Sequence, residues 1–324
     1  MDSMRLIDGV ELKACPVCKG EALRPFCIAR DVTQARWNPD KSYPKLAVNQ
    51  CDHCHLVFLN PQPPYAVSGA YYGQVYGGSE DSTHGYYRDE HKEKVAQIRI
   101  DRMAGSFAPG AKILDVGAGR GHFIKAACDR GFDGWALEAS QEGCEYAKQR
   151  FNLKNVIHGV LPCSDLETDF DVVTMWDVIE HMADPISALR EAHKLLKPGG
   201  MLVVRTGNIG SWAFDRDREN WWAWFCDHRF YFSAATLTAA IDKAGFQTTD
   251  VSDFENFERP NKKKGRDISE TSLLAGMAAL VKSPTKLLKL PDYFKNKFRR
   301  KKGEKEFGES YWISIMTVTA QKPS

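Results

Sequence analysis

The chain is 324 residues long, 43% hydrophobic and 27% charged, with a formal net charge of +2. That length supplies one large domain or two smaller ones with a sizeable core, and the near-balance of charge removes any global case for nucleic-acid binding. No apolar run approaches the ~20 residues needed to span a bilayer. The first ten residues lack the apolar stretch of a signal peptide, which predicts a cytoplasmic location.

Four of the nine cysteines fall into two C-x-x-C pairs, Cys15-Pro-Val-Cys18 and Cys51-Asp-His-Cys54, with 32 residues between them. A C-x-x-C turn directs two thiolates at one metal, and two such turns complete a tetrahedral four-thiolate shell. This predicts a structural Zn2+ site in a ribbon module spanning 1–66, with Trp37, Tyr43, Leu46 and Val48 available to its strands. His53 and His55 suit a solvated turn better than the shell. A closed shell of four thiolates gives the metal no catalytic part. The remaining cysteines are expected to be ordinary thiols.

Leu56-Val-Phe-Leu-Asn-Pro61-Gln-Pro-Pro64 reads as a strand with a proline stop. Residues 67–108 follow as a linker that carries Tyr71, Tyr72, Tyr76, Tyr86 and Tyr87, either packing on the next domain or closing over a ligand as a lid. A helix is expected over 91–103.

Residues 112–116 read as a buried strand, and glycines follow at 117, 119 and 121 before an amphipathic helix that begins near His122. Glycines at such a turn let the backbone approach a ligand, and the new helix presents unpaired N–H groups. The third glycine comes one residue too early for the dinucleotide fingerprint G-x-G-x-x-G. Glu138 lies 21 residues after Gly117, where an acidic side chain at the end of the next strand meets ribose hydroxyls. Ser140 caps a helix to about Phe151, and 156–158 reads as the third strand. A fourth strand, 171–175, ends at Trp176-Asp177. Asp184-Pro185 starts a helix through Leu196, Lys197-Pro-Gly-Gly200 breaks it, and 201–205 forms a further strand.

Taken together, Asp115-x-Gly-x-Gly-x-Gly121, Glu138, Asp177-Val-Ile-Glu-His181 and Leu196-Lys-Pro-Gly-Gly200 resemble the class I S-adenosylmethionine (SAM) methyltransferases over roughly residues 109–255. The cysteine pairs and Asn60-Pro-Gln-Pro63 narrow the likeness to zinc-ribbon-bearing bacterial members common in glycan and secondary-metabolite pathways. The resemblance implies an α/β fold: a Rossmann-like doubly wound seven-stranded sheet with an antiparallel C-terminal hairpin over 109–324, beside the small ribbon. It also implies SAM as cofactor, held by Asp115, Gly117, Ala118, Gly119 and Gly121, with Glu138 at the ribose and Trp176 and Asp177 at the end of the fourth strand. Many family members carry an acidic residue for the adenine after the third strand. Gly159-Val160-Leu161 stands there instead, so Leu161 is expected to pack on the base.

The loop Asn220-Trp-Trp-Ala-Trp-Phe-Cys-Asp-His-Arg-Phe-Tyr-Phe-Ser233 carries three tryptophans within four positions, suited to an acceptor wall for sugars or flat rings or to plain packing. Its end, Asp227 to Ser233, also resembles a family segment, and Ser233 caps a helix over 234–244. Strands over 246–254 and 311–321 would form the final hairpin. Between them, 259–306 holds fifteen Lys or Arg against five Asp or Glu, with an apolar stripe through Leu273, Leu274, Met277, Leu280 and Val281. Such a basic amphipathic insertion suits packing, contact with an anionic membrane surface, or, least, nucleic acid.

For a hydroxyl acceptor, His228 and His181 are the candidate bases, with His228 slightly preferred. Asp177 and Glu180 are expected to be structural or cofactor-side. The predicted activity is SAM-dependent O-methylation of a sugar or another small or lipid-linked acceptor. The alternatives are C-methylation of a nucleotide-linked sugar, RNA methylation, and SAM binding without turnover.

Overall fold

The computed structural model of the chain describes residues 9–31, 45–63, 89–253 and 314–324. Trp37, Tyr43, the five tyrosines of the linker and the basic insertion 259–306 lie outside the described residues.

The N-terminal strands β1 (Leu23–Arg30), β2 (Lys45–Cys51) and β3 (Val57–Leu59) pair antiparallel in sequence order. β2 alternates in burial along its first half, with Leu46 and Val48 inward, as expected of a strand covered on one face. Cys15 and Cys18 precede β1, Cys51 closes β2, and Cys54 lies in the turn that leads to β3.

Helix α1 (Asp89–Ala104) follows, with Val95, Ala96, Ile100 and Met103 on its buried face. The chain then alternates strand and helix: β4 (Lys112–Val116), α2 (His122–Asp129), β5 (Asp133–Glu138), α3 (Gln141–Phe151), β6 (Asn155–His158), β7 (Phe170–Trp176) and α4 (Pro185–Leu195). β8 (Leu196–Gly207), α5 (Trp212–Asp217), β9 (Phe230–Tyr231), α6 (Ala234–Lys243), β10 (Gln247–Ser252) and β11 (Ile315–Gln321) complete it. The helix starts are where short polar side chains predict them: Ser140 Oγ accepts from Gly143 N at 3.1 Å, and Asp184 Oδ1 from Ser187 N at 3.0 Å.

Seven strands form one sheet in the order β10-β11-β8-β7-β4-β5-β6. β4 to β8 run parallel, while β11 runs antiparallel to both β8 and β10. This is the expected doubly wound α/β sheet with its antiparallel hairpin. β4 and β7 are buried along nearly their whole length because helices cover both faces. From β4 the chain adds β5 and β6 on one side, then returns to place β7 and β8 on the other. The carboxyl ends of β4 and β7 therefore flank the crevice in which ligands bind.

Two local expectations are corrected. The helix does end just ahead of Lys197-Pro-Gly-Gly200, but β8 begins already at Leu196 and not at Met201. Leu196 sits opposite Phe170 and Met201 opposite Val172, so the four residues bulge out of the ladder. The C-terminus holds the bulge: Gly199 N donates to Lys322 O at 3.0 Å, and Lys322 N to Gly200 O at 2.9 Å. The second correction concerns the aromatic loop. It contributes β9, which pairs with β3 and makes the small sheet four-stranded, in the order β1-β2-β3-β9.

That pairing decides what the tryptophans do. Trp221 and Trp224 are each 0% exposed and pack with Leu46, Val48 and Leu59 of the small sheet and with Phe214 and Tyr231. The Trp224 ring lies 4.4 Å from Tyr231 and 5.4 Å from Trp221, and Trp224 Nε1 donates to Arg218 O at 2.7 Å. With their faces covered, these two rings are core and not an acceptor wall. They join the small sheet to the large one.

Candidate functional site

The glycine turn leaves β4 and bends under β5. Gly117 N and Ala118 N both donate to Leu137 O, at 2.8 and 3.2 Å, and Gly121 N donates to Ala118 O at 2.9 Å. Gly117 has φ +73°, and a Cβ there would lie 2.5 Å from Val178 Cγ2, so only glycine lets the ends of β4 and β7 meet this closely. Glu138 ends β5 beside the turn. Its Oε2 accepts from Gly119 N at 2.6 Å and its Oε1 from Ser140 N at 2.8 Å. Burial pushes the Glu138 carboxyl above its ordinary range, against the pull of these backbone donors. Each oxygen keeps a second lone pair, so the carboxylate can still accept from a diol while the backbone fixes its orientation.

Asp115 lies one layer deeper, 2% exposed, and accepts from Thr174 Oγ1 at 2.6 Å. Burial pushes its carboxyl up to about 7, although Thr174 and Arg99 pull the other way. A carboxyl raised on folding favours the native state fully below its unfolded value of roughly 4, and this contribution fades as pH rises through about 7. Unfolding free energy should therefore fall between roughly pH 4 and 7 by up to ~1.4 kcal/mol per pH unit from this group. Asp115→Asn should flatten that slope in urea titrations at pH 4.5, 6 and 7.5. An unchanged slope would assign it elsewhere.

Opposite the glycine turn, Asp177 follows β7 with φ +57°. It is ion-paired with Arg205 of β8 and lies 3.8 Å from Arg99 Nη2 of α1. The Trp176 ring is turned into the core, 5.2 Å from Phe123 and beneath the Arg99 guanidinium at 4.4 Å. Leu161 lines a cavity of about 440 Å³ with Pro162, Cys163, Ser164, Glu191 and Leu195, between the segment after β6 and α4.

A single turn of 3-10 helix, Ile179–His181, carries the next residues. The His181 and His228 rings meet edge to face at 4.7 Å, so the structure brings both candidate bases together across 47 positions of sequence. They are not equivalent. His228 is 8% exposed, and burial, helped by His181, holds its imidazole well below the usual range. His181 is more open and donates from Nδ1 to Asp227 O at 3.0 Å. Glu180 is 2% exposed beside them, pushed up to about 7 by burial against the pull of His181.

Several contributors were not visible in the sequence. Asp89, at the start of α1, lies 3.1 Å from His122 Nε2, accepts from the Tyr146 hydroxyl and is 3.8 Å from Arg120 Nη1, which ties α1 over the glycine turn. Arg99 and Arg205 close on Asp177 in the same way. No spacing rule connects these positions.

The four cysteines cluster as expected. Cys15 Sγ lies 3.5 Å from Cys54 Sγ, and Cys18 Sγ 3.5 Å from Cys51 Sγ. A tetrahedron with ~2.3 Å metal–sulfur bonds has edges of roughly 3.8 Å, so the donor set fits zinc. Burial pushes the Cys15 thiol up to about 11. Burial also acts to raise Cys18, but Gly20 N–H and the neighbouring thiols outweigh it and leave Cys18 below the ordinary range. Lys243 Nζ of α6 donates to Val17 O at 2.8 Å and pins the first knuckle to the large domain.

A family model described as a methyltransferase domain matches residues 87–251. The chain belongs to that family, and its class is the SAM-dependent methyltransferases. It is similar to the ubiquinone biosynthesis O-methyltransferase of Acinetobacter baumannii, 30% identical over 133 residues, which cover 39% of this chain and 56% of that protein. The enzyme of the same name from Xanthomonas campestris pv. campestris is 34% identical over 124 residues, 36% of this chain and 52% of that protein. The chain thus spans about half the length of the curated relatives it matches. Among solved structures, a SAM-dependent methyltransferase from Archaeoglobus fulgidus aligns at TM-score 0.48 and 15% identity, over 78% of this chain and 99% of that one. A TehB-like SAM-dependent methyltransferase from Corynebacterium glutamicum aligns at TM-score 0.40 and 19% identity, over 57% and 87%.

Proposed function

We propose that this protein transfers a methyl group from SAM to a hydroxyl of a sugar or another small or lipid-linked acceptor, and that Cys15, Cys18, Cys51 and Cys54 hold a structural zinc. The observation that carries the acceptor side is the His181–His228 pair, with His181 in the turn after β7 and His228 reaching it from the aromatic loop. The printed names of the curated relatives, both O-methyltransferases, favour oxygen as the methylated atom.

SAM supplies a sulfonium-bound methyl group, so the protein has to align the acceptor and exclude water. Gly117, Ala118, Gly119 and Gly121 would let the backbone approach the cofactor, and Glu138 would accept from the ribose hydroxyls. Leu161 would pack near the base, and the backbone at Trp176 and Asp177 would face the methionine end. Asp115 would act from below by holding the turn through Thr174. His181, the more open imidazole, would meet the acceptor hydroxyl with His228 behind it. The basic residues of 259–306 would bring the chain to an anionic membrane surface where the acceptor is lipid-linked.

Methyl-labelled SAM incubated with the protein and an extract of its source, then separated into lipid, glycan, RNA, protein and small-molecule fractions, tests this reading. Label is expected in the lipid, glycan or small-molecule fraction as a methyl ether. Label in RNA, or a carbon-bound methyl, would overturn it. Gly119→Arg should abolish SAM binding in calorimetry and leave the metal content unchanged, because the side chain would fill the space beside Glu138. Unimpaired binding would move the cofactor site elsewhere.

A further inference from the structure

Glu180, His181 and His228 are more than a pair of bases with a bystander. Each offers one nitrogen or oxygen donor, and the three donor atoms lie within 4.8 Å of one another. Glu180 comes from the turn after β7 and His228 from the aromatic loop 48 positions later, so tertiary folding alone assembles the set. Glu180 Oε2 is buried and has no hydrogen-bond partner among the described residues. An unmet buried carboxylate oxygen is costly, and such an atom in a native fold calls for a water, an ion or a chemical purpose.

The His181 imidazole is held as a ligand is held. His181 Nδ1 donates to the Asp227 backbone carbonyl at 3.0 Å, with the Asp227 carboxylate 3.4 Å away. A backbone carbonyl on one ring nitrogen of His181 fixes its tautomer, which is the outer-shell support that metal-bound imidazoles need. Arg229 N donates to Glu180 O at 2.8 Å, so the backbone following His228 is tied to the backbone of Glu180. Two imidazoles and one carboxylate on a common centre, with further positions open, suit a divalent first-row transition ion.

We propose that Glu180, His181 and His228 form a binding site for one divalent cation of the manganese-to-zinc series, separate from the four-cysteine cluster, and that it receives the acceptor oxygen. The donor sets differ in kind: thiolates select zinc, while imidazole and carboxylate also admit manganese and cobalt. Glu180 and His228 are buried, but the His181 side chain is 19% exposed, which leaves an approach from the His181 side. The turn that carries Glu180 follows Val178, the residue packed on Gly117, so a cation here would stand beside the cofactor turn.

The role of this cation rests on the methyl-transfer reading above. A hydroxyl bound to it loses its proton to solvent more readily. An oxygen lone pair then forms the O–CH3 bond as the S–CH3 bond breaks and leaves its electron pair on sulfur. The imidazoles in this arrangement hold the cation and do not themselves take the proton.

The test uses the full chain, treated with a mild chelator and carrying its remaining zinc, and titrated with Mn2+ alone while the free-ion paramagnetic resonance signal is followed. One Mn2+ per chain is expected to bind. Glu180→Gln and His228→Ala should weaken binding at least tenfold, the lower edge of the ~10–100-fold that loss of even an outer partner costs, with thermal unfolding run on each to show that it is folded. Line broadening of the His181 and His228 ring protons by substoichiometric Mn2+ in the unaltered chain locates the site without any variant. A wild-type chain that binds neither Mn2+ nor Co2+, or binds them without touching those rings, overturns the proposal. Cation binding without methyl transfer would leave the site standing and defeat the reading it rests on. Methyl transfer unaffected by chelation, with no cation bound, would do the reverse.

Discussion

Cys15→Ser combined with Cys18→Ser should release one zinc per chain and lower the melting temperature by roughly 10 °C. Structural zinc contributes ~10–16 kcal/mol to small zinc-finger folds. Here the small sheet is also held by its packed aromatic core, so a quarter of that figure is a reasonable expectation, at roughly 2–4 °C per kcal/mol for a chain of this size. The damage should not stay local. β3 pairs with β9 through Val57 to Tyr231 and Phe58 to Phe230, and Leu59 N donates to Arg229 O at 3.0 Å. Loosening the knuckles therefore shifts His228, one residue before Arg229. Methyl transfer should fall while SAM binding, proposed for the ends of β4 and β5, survives. Metal analysis with calorimetry decides the matter: a parent chain without zinc, or a double variant that melts with the parent, would remove the structural-zinc assignment.

Trp224→Ala is expected to cost about 3–5 kcal/mol, the range for removing a large aromatic from a packed core. The ring is fully buried against Tyr231 and Trp221, and its Nε1 bond to Arg218 O is lost with it. Trp222, half-buried at the rim of the same cluster, should cost less when replaced by alanine. Urea unfolding of the two variants measures the difference. Should Trp224→Ala leave the urea midpoint unchanged and instead raise the KM for the acceptor, the tryptophans would be an acceptor wall after all.

Much of this molecule was legible from residue order alone because the relevant physics is local. A turn with glycines at 117, 119 and 121 between a buried strand and an amphipathic helix depends on backbone conformations that only nearby residues set, and Gly117 and Gly119 do have positive φ. Glu138 lies on the next parallel strand at a distance that one helix crossover dictates, which is how it meets Gly119 N. Two C-x-x-C pairs imply one cluster because each turn already aims two thiols together, and strand–helix alternation implies the parallel sheet.

Long-range pairing decided the rest. Three tryptophans in an irregular loop have no period, so nothing in the sequence distinguishes a ring that faces an acceptor from one that faces a core. β9 settles it by joining the small sheet, a two-residue pairing too short to leave a pattern. Residue order alone puts Glu180 on the structural or cofactor side, and only the approach of His228 from the far loop makes it part of a three-donor cluster with His181. Asp89, Arg99 and Arg205 likewise reach the site from separate elements. By itself the sequence determined the sheet, the glycine turn and the cysteine cluster, because each is written in spacings that one turn or one crossover reads. Tertiary structure alone decided which aromatics became core and which side chains met Glu180, because those contacts depend on the aromatic loop pairing with the N-terminal sheet through β9.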